Sequence, residues 1–139
     1  TVWAVARRLR LSAEEMTAIA WLVGHLETWA DAPTQSMARL KRLLSHPLSF
    51  SLRHLVRAHS VATGVPLDAI HFVDQFVQQH TPLEINPPEL LTGKDLMDRG
   101  LAPGPQFKRL LDQVRDAQLN GEVVTRTEAL NRLNQLIEL

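Results

Sequence analysis

A segment rich in proline and glycine near the C-terminus, residues 87–107, restricts the fold of this chain more than any other feature. Thr92 and Asp95 have the spacing of a capping box, in which two side chains bond each other's backbone N–H groups at the start of a helix. Gly100 supplies the left-handed residue that ends such a helix. The segment therefore predicts a short helix whose two ends are both encoded locally.

A stiff bend is expected directly after that helix. Pro103 and Pro105 restrict the backbone of the connection, and Pro105 suits the first position of a new helix, where a missing N–H costs nothing. Gly104 lies between them and is expected to let the chain turn sharply into that helix. The segment thus predicts two short helices around a rigid elbow.

Helical periodicity dominates the rest of the sequence. Apart from the Val123–Val124 connector, no stretch alternates apolar and polar residues over a useful length, so the predicted fold class is all-α. We expect a multi-helical body of about five helices and a C-terminal tail of three. The body helices are expected over residues 2–10, from the Ser12–Glu15 capping box onward, and over residues 34–45, 48–63 and 66–80.

Three parts follow from this pattern: a helical body over residues 1–80, a proline-rich linker over 81–92 and a helical tail over 93–139. Residues 81–89 contain three prolines and are expected to be extended. Because the chain opens on Thr1 rather than on methionine, and within an amphipathic pattern, we expect it to be an excised piece of a longer protein.

The second body helix carries two apolar stripes at helical spacing. One is expected to face the core and consists of Met16, Ile19, Ala20, Val23 and Leu26. The other lies beside it and consists of Leu22, His25 and Trp29. This helix is therefore expected to be covered on more than one side.

Composition excludes several classes of protein. The 15 basic and 15 acidic residues balance, and only residues 1–60 are locally basic, so any contact with a nucleic acid must come from local patches. The absence of cysteine excludes disulfides and thiolate metal sites. No signal peptide or long apolar run is present, so we expect a cytoplasmic protein.

The C-terminal third resembles the end of bacterial tRNA nucleotidyltransferases and poly(A) polymerases. The pattern P-x-L-L-T-G-x-D-L-x-x-x-G-L-x-P-G-P occupies residues 88–105, R-x-A-Q-x-x-G-E occupies 115–122, and T-R-x-E-A-L occupies 125–130. All three stand in family order and at family spacing over about the last fifty residues. Looser similarity to the helical body of that family extends through residues 9–25 and 40–47.

The resemblance implies an enzyme whose catalytic parts lie outside this sequence. Nucleotidyl transfer needs carboxylates that hold metal ions, and in this family a Gly-rich turn and a D-x-D strand in an N-terminal head provide the site. This chain contains no D-x-D and no Gly-Ser or Gly-Gly pair. For the full-length enzyme the resemblance implies Mg²⁺ with ATP or CTP; for this piece alone it predicts no catalysis, no cofactor and no metal.

Basic side chains are the candidate binding residues. The set comprises Arg39, Arg42, Arg53, Arg57, Lys94, Lys108, Arg109 and Arg115. Such residues contact phosphates with salt-dependent affinity and little base preference, and the resemblance implies that the target is tRNA or another RNA. The first free N–H groups of the helix beginning at Pro105 would add to this attraction. The alternative is that these cations lie on solvated faces in pairs such as Lys108 with Asp112.

Histidines and tryptophans have two readings as well. A metal site of the HD type, which some members of the family carry, would need a His-Asp pair, and none is present. His25 and His59 share helix faces with apolar residues and are expected to pack against them. The tryptophans Trp3, Trp21 and Trp29 are expected to anchor the core or an interface rather than to stack on bases.

The sequence as a whole favours an RNA-binding C-terminal fragment that positions the 3′ end of tRNA or another RNA for nucleotide addition by an absent head. An alternative from another class is a helical oligomerisation or docking module without RNA binding. A third reading, a fragment of an HD-domain phosphohydrolase, is disfavoured by the tail pattern. The choice between CCA addition, A addition and poly(A) synthesis stays open, because it depends on residues outside this chain.

Overall fold

A computed structural model describes residues 1–138, and within them the chain is helical with no strand. The all-α prediction is therefore confirmed. The described helices are α1 Val2–Arg8, α2 Ala13–Gly24, α3 Met37–Leu44, α4 Ser49–Thr63, α5 Asp68–Gln79, α6 Pro82–Ile85, α7 Gly93–Met97, α8 Pro105–Leu119 and α9 Arg126–Glu138. None of these helices is long and apolar enough to cross a membrane.

Local signals set most helix ends where the sequence predicts them. The Ser12 hydroxyl accepts from the Glu15 N–H at 3.2 Å, while the Glu15 carboxylate accepts from the Ser12 N–H at 2.8 Å. Gly64 ends α4 in the left-handed region, with φ of 73°. Pro105 occupies the first turn of α8. These ends need no tertiary contact to be encoded, which is why the sequence alone locates them.

The chain divides into two compact units. The first unit comprises Thr1–Gln35 and Leu43–His80. In it α2 packs on α1 and α4, and α4 packs on α5. Its buried side chains include Trp29, Leu52, Val56, Ile70, Val73 and Phe76.

The second unit comprises Ser36–Arg42 and the described residues from Thr81 onward. Within it α8 packs on both α7 and α9. One apolar cluster joins these three helices and consists of Leu91, Leu96, Leu110, Val114, Ala117, Val123, Ala129 and Leu133. The predicted apolar face of α8 is confirmed, because Leu110 and Val114 are buried in this cluster.

Two expectations about local structure are wrong. Residues Pro82–Ile85 form a short helix rather than extended backbone, since Thr81 and Glu84 make a capping box and Pro82 occupies the first turn. The α2 stripe expected to face the core is also misassigned: no residue of α2 is buried, and Ile19 and Val23 are exposed. Helical spacing identifies apolar stripes but does not say which stripe has a partner.

Gly121 and Gly104 allow a matched test of where glycine is required. Gly121 has φ of 79°, in the left-handed region, whereas Gly104 has φ of 171°, which is extended backbone open to any residue. A Cβ at either position meets no atom within 4 Å. Gly121→Ala should therefore lower the free energy of unfolding by about 1 kcal/mol.

Chemical denaturation of both alanine variants checks this expectation. Gly104→Ala is the control and should leave stability unchanged or slightly higher, because it only reduces the freedom of the unfolded chain. Equal losses at the two positions would show that backbone conformation is not the cause. Gly104 was expected to let the chain turn sharply into α8, but its backbone is extended, a conformation that does not require glycine.

Candidate nucleic-acid interface

Asp95 secures the beginning of α7 and is almost buried, with 7% of its surface exposed. Its carboxylate accepts from the Thr92 N–H at 2.7 Å and from the Thr92 hydroxyl at 3.1 Å, and it forms an ion pair with Arg126 of α9. The backbone hydrogen bond from Thr92 is the main cause of a lowered pKa for Asp95; burial acts in the opposite direction, and Arg126 lowers the pKa further. Asp95 is therefore ionised and joins the elbow to the last helix.

The first turns of α7 and α8 lie side by side. A Cβ added at Gly93 would be 3.7 Å from Cδ2 of Phe107, so the backbone of one turn touches the ring carried by the other. Lys94 follows Gly93, and Lys108 follows Phe107. Lys94 and Lys108 are therefore each next in sequence to a residue of this contact.

Three cations of α7 and α8 have no partner in the described chain. Lys94, Lys108 and Arg109 are all exposed, and none makes a hydrogen bond or an ion pair with residues 1–138. The first turn of α8 contains no acidic residue to offset their charge. We call these three residues the elbow surface. Lys94 lies in α7, and Lys108 and Arg109 are the fourth and fifth residues of the 15-residue helix α8, near its positive end.

The backbone at the start of α8 offers fewer free N–H donors than the sequence indicates. The Phe107 N–H donates to the Gly104 carbonyl oxygen at 3.0 Å, and Pro105 has no N–H to offer. One of the donors expected to be free is thus already used. Attraction of a phosphate to the elbow surface depends mainly on the side chains.

Arg42 is bound to α8 rather than left free. Its Nε lies 2.7 Å from Asp116 Oδ1, and its Nη2 donates to the Asp112 carbonyl oxygen at 3.2 Å. The Asp112 carboxylate is 3.8 Å from the same guanidinium. The pair expected between Lys108 and Asp112 is not formed within the described residues, because Arg42 occupies that carboxylate.

Arg115 holds the proline-rich segment against α8. Its guanidinium donates to the Pro87 carbonyl oxygen at 2.8 Å, to Asn86 Oδ1 at 2.7 Å and to Gln118 Oε1 at 2.7 Å. Burial is the main cause that lowers the pKa of Arg115, and the nearby charge of Glu89 opposes this shift. Most of the donors of Arg115 are therefore engaged inside the second unit.

Arg53 and Arg57 belong to the first unit and share one carboxylate. Arg53 Nη1 lies 3.1 Å from Asp74 Oδ1, and Arg57 pairs with Asp74 Oδ2. Arg39 lies exposed on α3, in the second unit. The eight predicted residues are thus divided between two units, and among them only Lys94, Lys108 and Arg109 are unpaired within residues 1–138.

Two sets of arginines are not among the eight residues predicted from the sequence. Arg126 was not singled out, although it stands inside the T-R-x-E-A-L pattern, and its ion pair with Asp95 crosses 31 positions of sequence. Arg7, Arg8 and Arg10 are exposed on or just after α1. Arg7 and Arg8 lie in the last turn of that helix, where a positive charge stabilises the helix dipole.

The histidines pack in one case and not in the other. His25 is half-buried, stacks on Trp21 with 4.1 Å between ring centroids, and has its Nδ1 2.7 Å from the Trp21 carbonyl oxygen, as packing predicts. His59 is exposed, so the expectation that it packs on an apolar stripe is wrong. No three His, Asp or Glu side chains among residues 1–138 lie close enough together to hold a metal ion.

The tryptophans differ in role. Trp29 is 1% exposed and anchors the core of the first unit. Trp21 is half-buried and also stacks on His46, with 3.8 Å between centroids. Trp3 is exposed on α1 and is not part of a core.

Comparison with known protein families identifies the family of this chain. The family described as tRNA nucleotidyltransferase domain 2 matches residues 5–133. The chain belongs to this family. An A-adding tRNA nucleotidyltransferase of Geobacter sulfurreducens is 27% identical over 131 residues. That match covers 92% of this chain and 14% of the relative. No solved structure matches the chain.

The matched range of the tRNA nucleotidyltransferase family spans the residues of the elbow surface. The family match includes the capping box of α7, the bend and all of α8, because it extends to residue 133. The Asp95–Arg126 ion pair lies wholly inside the matched residues. The resemblance stated from the tail pattern is therefore confirmed for the chain as a whole.

Proposed function

We propose that this chain is the RNA-binding part of a longer tRNA nucleotidyltransferase and that it holds tRNA, or another RNA, while a part outside this chain adds nucleotides to the 3′ end. The family membership and the A-adding relative support this assignment. The addition itself would use Mg²⁺ with ATP or CTP. The described residues do not fit a metal site of this kind, so no step of the addition is assigned to them. A cytoplasmic location belongs to the same proposal.

One observation carries the proposal: the elbow surface holds three exposed cations without an internal partner. Lys and Arg side chains that neutralise phosphates release the counterions condensed on a nucleic acid, and a cation without an internal partner is available for such a contact. By contrast, Arg42 and Arg115 already donate hydrogen bonds to residues of the second unit. We therefore assign the principal phosphate contacts to Lys94, Lys108 and Arg109 among the eight predicted residues.

Titration of the chain with tRNA at two salt concentrations tests this function. Three phosphate contacts give a logarithmic salt slope of about −2.7, which corresponds to an affinity loss of about twentyfold between about 50 and 150 mM salt. Fluorescence anisotropy of labelled tRNA measures both values. Absence of binding at the lower concentration would contradict the proposal.

A second candidate function is self-association or docking to another protein. The observation that favours it is a set of exposed apolar side chains in the first unit: Trp3, Val5, Leu9, Ile19 and Val23. Sedimentation separates the two candidates. A mass that rises with protein concentration, together with no tRNA binding, would favour assembly over RNA binding.

A further inference from the structure

One face of α4 carries an unusual combination of side chains. Phe50, Arg53, His54 and Arg57 have the spacing of neighbours on a single helix face, and all four line the same cavity. Asp74 and Gln78 of α5 complete its wall. The cavity has a volume of about 240 Å³ and lies entirely within the first unit.

The charges of this cavity do not cancel. Two guanidinium groups share the single carboxylate of Asp74, which leaves one positive charge in excess and fixes the orientation of both arginines. Arg53 Nε is buried and donates to no described residue. The Arg57 side chain is 38% exposed, so donors that Asp74 does not use remain within reach of a ligand.

An aromatic ring stands beside these donors without a role in the core. Phe50 is 63% exposed although it is a large apolar residue. The rings of Phe50 and His54 make an edge-to-face contact with 4.5 Å between centroids, and the Arg53 guanidinium lies over the Phe50 ring, 5.7 Å from its centroid. These contacts hold the ring in place while most of it faces solvent, which is the arrangement of a stacking platform.

We propose that this cavity binds a nucleotide, with the base stacked on Phe50 and the phosphate held by Arg57 and Arg53. A base needs an aromatic face and a phosphate needs oriented guanidinium donors, and α4 presents both next to each other. The cavity is smaller than the roughly 300–1,000 Å³ pockets that enclose whole drug-sized ligands, so part of the nucleotide stays in solvent. The ligand is a free nucleoside monophosphate or an unpaired nucleotide of an RNA strand, since the two share this chemistry.

This site does not depend on the elbow surface. Its residues belong to the first unit, whereas Lys94, Lys108 and Arg109 belong to the second. A variant with glutamine at those three positions should therefore keep its affinity for AMP. The nucleotide site and the proposed RNA function can thus fail separately.

Titrations of the ¹⁵N-labelled chain with AMP, adenosine, inorganic phosphate and a short single-stranded oligoadenylate test the proposal. AMP should shift the amide resonances of α4 around Phe50 and bind more tightly than adenosine or phosphate alone. Phe50→Ala should weaken AMP binding about tenfold, because stacking on an aromatic side chain accounts for a factor of this size per base. Arg57→Gln should weaken binding of AMP but change binding of adenosine little.

Val61→Ala is the matched control, because Val61 is an equally exposed apolar residue of the same helix, at 69%, and does not line the cavity. It should leave AMP binding unchanged. Tighter binding of the oligoadenylate than of AMP identifies an RNA strand as the source of the nucleotide, and equal binding identifies a free nucleotide. The proposal is overturned if neither ligand perturbs α4, or if Phe50→Ala binds both as tightly as the unchanged protein.

Discussion

Replacement of Lys94, Lys108 and Arg109 by glutamine in one variant should weaken tRNA binding about a hundredfold at about 0.15 M salt. Each residue is exposed and free of internal partners, so each loses only a contact with the ligand. Hydrogen bonds to charged groups are worth about 1.5–3 kcal/mol, and a hundredfold loss for three of them allows for incomplete additivity. The logarithmic salt slope should also become shallower by about 2.7, the contribution of three phosphate contacts. Anisotropy titrations at several salt concentrations measure both quantities.

The matched control replaces Arg7, Arg8 and Arg10 by glutamine. It removes the same total charge from exposed positions in the first unit, away from the elbow surface in sequence. Its affinity for tRNA should fall much less than that of the elbow variant. If the two triple variants lose affinity equally, binding reflects overall charge, and the assignment of the interface to the elbow surface is wrong.

Asp95→Ala should lower the free energy of unfolding by about 2 kcal/mol. The substitution removes the acceptor for the Thr92 N–H, the reciprocal half of the capping box, and it leaves Arg126 without its carboxylate. Asp98→Ala is the control, since Asp98 is exposed at the end of the same helix. Urea denaturation compares the two variants. Equal stability of Asp95→Ala and the unchanged protein would contradict the role given to Asp95.

The pH dependence gives an independent check on Asp95. Because its pKa is lowered in the folded state, its contribution is complete above the ordinary pKa of an aspartate, about 3.9, and disappears as the pH falls through the folded value. The stability difference between the unchanged protein and Asp95→Asn should therefore be constant above about pH 5 and shrink below about pH 4. A difference that grows as the pH falls would have the wrong sign.

The parts of the fold that sequence predicted best are those encoded by neighbouring residues. Capping boxes at Ser12 and Thr92, and the left-handed glycines after α4 and α8, act over three or four positions and were located correctly. The short helix α6 was missed although Thr81 and Glu84 carry the same signal. The three prolines of this segment favour extended backbone, but Pro82 occupies the first turn of the helix that Thr81 caps.

Pairing between distant residues set the limit of prediction at the candidate site. Arg42 meets Asp116 across 74 positions, and Arg53 meets Asp74 across 21. The packing of one helix on another decides which arginines form internal ion pairs. Sequence alone therefore identified eight candidate cations but not which of them are free of internal partners. It likewise identified the apolar stripes of α2 but not that no residue of this helix is buried.

The Asp95–Arg126 ion pair also has a bearing on how the chain matures during synthesis. The carboxylate that begins α7 lacks its cation until the ribosome has released the residues around Arg126. A nascent chain that ends before this point carries the bend in its sequence but lacks the counter-charge that stabilises it. The start of α7 therefore gains its counter-charge only after a helix 31 positions further along the chain has been made.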